Sequence, residues 1–135
     1  MDERILIVGD AERCVGLRQS LATEGFAVTI TGDTNAGYEE FRQSQFELII
    51  VNLGDSIEGL NLIKRIRANS NFRRVSILTI AEWGTGQATM ALTEGADGFE
   101  PGPVDAERLI AAVRKLLQPN LTMIARASGV DGEVD

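Results

Sequence analysis

The chain has 135 residues, 44% of them apolar, which suits a single globular domain with one continuous core. Its net charge of −7 argues against partners whose recognition rests on Lys and Arg, namely nucleic acids and anionic membranes. It contains no His and a single Cys, Cys14, which removes imidazole bases, His metal sites and any internal disulfide, and fits the cytoplasm.

Strand and helix patterns alternate five times. Ile5 to Val8 is a short continuous apolar run, too short for the h-region of a signal peptide. A helix follows from about Ala11 to Glu24, with Cys14, Leu17 and Leu21 on one face and Gly25 as its stop. Phe26 to Thr31 is a second strand rich in β-branched residues. Asp33 or Thr34 caps a helix running to about Ser44, with Tyr38 and Phe41 inward. Phe46 to Val51 reads as a third strand, buried on both faces.

Gly59 to Ala68 is amphipathic. Val75 to Ile80 is the fourth strand, and Gln87 to Glu94 a short helix carrying Met90 and Leu92 and ended by Gly95. Gly98 to Glu100 is a short fifth strand. Asp105 caps a last helix with Leu109, Val113, Leu116 and Leu117 inward, and Pro119 ends it. No run approaches the roughly 20 apolar residues of a membrane span. Residues 119–135 read as a flexible tail or linker after a domain spanning 1–118, and an excised piece of a larger protein is equally compatible with them.

Five alternations predict an α/β fold with a parallel sheet, right-handed crossovers and helices on both faces. Ligand sites in such sheets lie at the carboxyl ends of the strands. Those positions are Gly9 and Asp10, Gly32 and Asp33, Asn52, Ala81 and Glu82, and Gly102. Asn52 is the most telling of them. An amide can donate and accept hydrogen bonds, but it has no charge and is a poor nucleophile.

Three stretches carry a family resemblance: Ile5-Leu6-Ile7-Val8-Gly9-Asp10, Phe46 to Leu53 with Gly59-Leu60 downstream, and Gly95-Ala96-Asp97-Gly98-Phe99 leading to Gly102-Pro103. From Arg4 to about Gln118 the chain resembles the receiver domain of bacterial response regulators. The resemblance implies a flavodoxin-like (βα)5 fold, CheY-like, with strand order 2-1-3-4-5. It implies two acids after the first strand, a phosphoacceptor Asp after the third, a Thr or Ser after the fourth and a Lys before Pro after the fifth. Acids hold Mg²⁺ through oxygen, and metal and Lys neutralise the transferring phosphoryl group.

Here Gly9 and Asp10 fill the acidic-pocket positions, Asn52 the acceptor position and Gly102 the Lys position, ahead of Pro103, whose bond is expected to be cis. Counting with Ser76 at the usual Pro puts Ala81 at the Thr/Ser position; counting back from Gly95 puts Ile80 there. Thr79 needs a further shift and points to the core. Phe99 takes the place of the aromatic switch residue, with plain packing as the bland alternative. The loop after Asn52 is one residue shorter than the usual form and lacks its Pro.

The expected result is a pseudo-receiver: not an enzyme, with no resident metal beyond weak Mg²⁺ at Asp10, acting by phosphorylation-independent protein–protein contact. Its partners are a kinase, an output domain or a second copy. The surface implied by the family is the fourth helix, fifth strand and fifth helix, here Gln87, Met90, Ala91, Asp97, Glu107 and Arg114. Trp83 is either an exposed anchor there or a buried filler. Cys14 reads as packing. The first rival is a small-ligand or anion binder using the glycine-rich crevice; a receiver retaining a weak metal or phosphoryl response is another. A flavodoxin-like enzyme ranks last, because no nucleophile–base pair can be assembled.

Overall fold

The computed structural model describes residues 3–54, 58–68, 75–81, 86–102 and 104–117. The sheet elements are β1 (Arg4–Val8), β2 (Ala27–Thr31), β3 (Leu48–Gly54), β4 (Ser76–Ala81) and β5 (Gly98–Pro101). The helices are α1 (Ala11–Thr23), α2 (Thr34–Gln43), α3 (Glu58–Ala68), α4 (Gln87–Glu94) and α5 (Ala106–Leu117). All five strands run parallel, as the alternating pattern predicts, and in the order β2-β1-β3-β4-β5 that the family resemblance implies. Among the described residues, no helix is long and apolar enough to cross a membrane. Trp83, Pro103 and the tail 119–135 lie outside the described residues.

Side chains alternate across each strand, so the continuous apolar runs supply two cores at once. Leu6, Val8, Ile49, Val51, Ile77 and Ala81 meet the helical layer that includes Leu60, Ile63 and Ala91. Ile5, Ile7, Leu48, Ile50, Leu78 and Ile80 meet Cys14 and Leu21 of α1 and Leu109 and Val113 of α5. The helices α1, α2 and α5 begin where short acids can take up free backbone N–H groups. Asp10 accepts from Glu12 N at 3.1 Å, Asp33 from Ala36 N at 2.7 Å and Asp105 from Arg108 N at 2.8 Å.

Element ends move by one to three residues. β3 starts at Leu48 rather than Phe46 and continues to Gly54. Phe46 is buried as an anchor before the strand, while Glu47 donates its N–H to Arg4 O and accepts Arg4 N on its side chain. The extension past Val51 is held by β4. Asn52 pairs with Ile80 and Gly54 with Ala81, with an irregularity in between. Asn52 is therefore inside the strand's last turn of pairing, not beyond it. β5 likewise runs one residue further, to Pro101, which as an edge-strand residue needs no partner for a missing N–H.

A cluster unannounced by the sequence pattern fixes the amino-end side of the sheet. Arg67 of α3 donates from Nε to Gly95 O at 2.9 Å, from Nη1 to Val75 O at 2.7 Å and from Nη2 to Asp97 Oδ2 at 2.6 Å. The same carboxylate oxygen accepts Ile77 N at 2.8 Å, and Asp97 N donates to Ile77 O. One side chain thus ties together α3, the entry to β4 and the turn between α4 and β5. Gly95 sits at φ +124°, and a Cβ there would lie 2.6 Å from Arg67 Cγ, so both conformation and space require glycine.

Candidate functional site

The carboxyl ends of β1, β3 and β4 bring Gly9, Asn52 and Ile80 together. Gly9 and Asn52 approach so closely that a Cβ on Gly9 would sit 3.0 Å from Asn52 Cβ and 3.2 Å from Cys14 Sγ. Asn52 falls on the same sheet face as Leu48 and Ile50, which places it over α1. Its Nδ2 points at Cys14 Sγ across 4.0 Å, a long N–H···S contact. Burial pushes the Cys14 thiol above its ordinary value; the Asn52 contact opposes this and the Asp10 charge adds to it. The thiol is therefore held neutral, not poised as a nucleophile.

The strand register bears on the two candidates at the end of β4. Ile80 pairs with Asn52, and its Cγ2 would lie 3.3 Å from a Cβ on Gly102. Ile80 is thus the residue beside both Asn52 and Gly102. Ala81 points to the opposite face, into the core with Val51 and Ala91. Gly102 is fastened to this edge by its N–H, which donates to Ala81 O at 2.9 Å. Thr79 is completely buried, on the same face as Ala81, and its hydroxyl has no hydrogen-bond partner among the described residues. Phe99 pairs with Thr79 across the strands and packs against that same core.

Asp10 lies beside Gly9, but one carboxylate oxygen already serves as the cap of α1. Among the described residues, no three of His, Cys, Asp and Glu gather as a possible metal cluster. Among the described residues, the chemistry on offer at this crevice is one capping carboxylate, one amide, one neutral thiol and the methyl groups of Ile80.

The interface candidates fare unevenly. Met90 and Leu92 are each about half exposed on α4, at 49%. Ala91, between them, is fully buried and belongs to the core. Asp97 is not a surface contact: its side chain is 15% exposed and committed to Arg67 and Ile77. Arg114 pairs with Glu24 at the end of α1. Six residues away, and so about 120° round the helix, Arg108 pairs with Glu100 on β5. Arg114 therefore lies on the α1 side of α5 rather than the β5 side. Sequence spacing alone could have shown that Arg108 and Arg114 diverge; which of them faces β5 needed the packing.

The profile of the response regulator receiver domain matches residues 5–114. The sensory transduction protein RegX3 of Mycolicibacterium smegmatis is 30% identical over 116 residues, covering 84% of this chain and 50% of that protein. The response regulator ArlR of Staphylococcus saprophyticus is 30% identical over 125 residues, covering 90% and 56%. The chain thus spans about half the length of the curated relatives it matches. In three dimensions it resembles the chemotaxis response regulator CheY4 of Vibrio cholerae, with a TM-score of 0.79 at 20% identity over 87% of this chain and 100% of that one. A response regulator from Thermotoga maritima gives 0.78 at 19% identity, covering 87% and 99%. These two likenesses concern the fold, the flavodoxin-like arrangement predicted from the sequence. With the profile running from β1 to the last turns of α5, the chain belongs to the response regulator receiver domain family.

Proposed function

We propose that this receiver domain signals without phosphorylation, through contacts with other proteins. The observation that carries the reading is the chemistry around Asn52. An amide occupies the acceptor position, turned toward the Cys14 thiol. It cannot form an acyl phosphate. Ile80, with no hydroxyl, stands beside it, and Gly102 offers no cation. We take Ile80 rather than Ala81 as the Thr/Ser counterpart, because the register sets it against Asn52 and Gly102.

Mg²⁺ does not fit these residues. The ion wants a near-octahedral set of oxygen ligands, and one or two carboxylates usually anchor it. Among the described residues, Asp10 is the only acid of this cluster, and it already caps α1. Gly9 contributes no side chain, and one with a carboxylate would crowd Asn52 and Cys14. Without metal or Lys, no described group of the crevice would neutralise a transferring phosphoryl group, and without a carboxylate at Asn52 none there would accept it.

Partners on this reading are proteins of a two-component pathway, a kinase or an output domain, met in the cytoplasm. The contact surface includes α4, where Met90 and Leu92 are half exposed. Large half-exposed apolar side chains of this kind suit an interface.

The test is a titration with Mg²⁺ and then beryllofluoride, followed by amide NMR and Trp83 fluorescence. Beryllofluoride mimics an acyl phosphate only where carboxylate and metal are both in place. The expected result is no shift at Asp10, Asn52 or Trp83, and no mass increase with acetyl phosphate. Saturable shifts at those residues, or a phosphoryl adduct in this crevice, would overturn the proposal.

A further inference from the structure

A second polar concavity lies away from Asn52, between the first turns of α2 and α3. Its volume is about 360 Å³, and its walls are Thr34 and Asn35 of α2 with Glu58, Asn61, Leu62 and Arg65 of α3. That is the lower end of the range for small-molecule sites. Leu62, 1% exposed, forms an apolar floor. Arg65 is braced at one end. Its guanidinium stacks over the Tyr38 ring at 4.0 Å from the centroid and donates to Asn35 Oδ1 at 3.3 Å. Stacking and a hydrogen bond together fix the plane of the group before any ligand arrives.

Glu58 sits seven residues earlier on the same face of α3, about 10 Å along the helix axis. The cavity therefore has a guanidinium end and a carboxylate end, with two amides, a hydroxyl and an apolar floor in its lining. A simple anion would meet Glu58 and the field of a chain of net charge −7. A simple cation would meet Arg65. We infer that the groove between α2 and α3 binds a short zwitterionic peptide, its carboxylate on Arg65 and its ammonium on Glu58. This site is independent of the Asn52 crevice and of the signalling role proposed for it.

Triglycine is the probe, since three extended residues span about 10 Å. Amide NMR titration of the whole chain, into the millimolar range, should give saturable shifts at Thr34, Asn35 and Asn61 and none at Asn52. N-acetyl-triglycine and triglycine amide, each lacking one charge, should bind about tenfold more weakly. Glu58→Gln and Arg65→Met should weaken the uncapped peptide to a similar degree. Equal binding of the capped peptides, or no saturable shift at these residues, overturns the proposal. The peptide series uses the unaltered protein, so its outcome does not depend on whether a variant folds.

Discussion

Asp97→Asn isolates the ion pair at the amino edge of the sheet. The substitution keeps size and shape but removes the charge that Arg67 and Ile77 N–H share. The two side chains are 17% and 15% exposed, so the pair is largely, not wholly, removed from water. Breaking one partner of a fully buried pair costs about 3–5 kcal/mol; the residual exposure reduces that. Arg67 also keeps two carbonyl acceptors, Gly95 O and Val75 O. A loss of about 2 kcal/mol remains, the size of a hydrogen bond to a charged group. For an ordered domain of this length it corresponds to a fall in Tm of about 8 °C. Urea unfolding of wild type, Asp97→Asn, Arg67→Met and the double variant gives the coupling directly, which should exceed about 1 kcal/mol. If Asp97→Asn stays within about 0.5 kcal/mol of wild type, the three-way tie is a geometric coincidence and not a support of the fold.

Thr79→Val removes a hydroxyl that is buried without a partner, so it should raise the urea midpoint, by about 1 kcal/mol of stability; a loss of stability would show that the hydroxyl is satisfied. Gly95→Ala meets both a positive φ and Arg67 Cγ at 2.6 Å, whereas Gly86→Ala meets a positive φ of +78° with nothing within 4 Å. The first should destabilise by about 2 kcal/mol or more and the second by about 1 kcal/mol, and equal losses in chemical denaturation would mean that Arg67 swings aside. Cys14 is raised above the ordinary thiol value of 9.0, so its neutral form favours the folded state. That contribution is complete below pH 9.0 and is lost as pH rises through the folded value. Wild type should therefore lose stability above pH 9.0 more steeply than Cys14→Ala, by up to about 1.4 kcal/mol per pH unit; parallel curves would contradict the burial of the thiol.

The architecture was legible because its signals are strong and redundant. Four apolar residues in a row at Leu48 to Val51 can be buried on both faces only in a covered parallel sheet. Asp33 and Asp105 announce helix starts by a local mechanism that needs no tertiary knowledge. Strand ends were less legible, since β3 is prolonged by its pairing with β4 and not by its own composition. That Gly9, Asp10, Asn52 and Gly102 lie at or just past strand carboxyl ends could be read from the strand patterns before them. Ala81 against Ile80 could not be decided that way, because a one-residue shift in counting exchanges the two sheet faces. Arg67 shares the helical spacing of Leu60, Ile63 and Ile66, but that spacing does not reveal its acceptors. Val75 lies 8 residues on and Gly95 and Asp97 lie 28 and 30 residues on, and two of these three acceptors are backbone carbonyls that no residue type marks. Asp97 is an interface candidate through the family resemblance, and its chain neighbours Ala96 and Gly98 say nothing of Arg67.

On the proposed reading, the environment of Asn52 also bears on how easily phosphoryl chemistry could return. Asn52→Asp restores the acceptor oxygen alone. The new carboxylate would still face the Cys14 thiol, with Ile80 in the adjacent register position. Asp10 would still be drawn to the first turn of α1, and no cation would stand at Gly102. Burying a carboxylate against a neutral thiol and methyl groups raises its pKa and weakens it as a nucleophile. On the proposed reading, Asn52→Asp therefore gains no beryllofluoride response and loses stability, measurable as a lower urea midpoint near neutral pH that recovers on acidification as the carboxyl becomes neutral. A full beryllofluoride response from this one change would place the loss of function in a single group. Its absence, with recovery only when Gly102→Lys and Ile80→Thr are added, would place it in the whole apolar setting of the crevice.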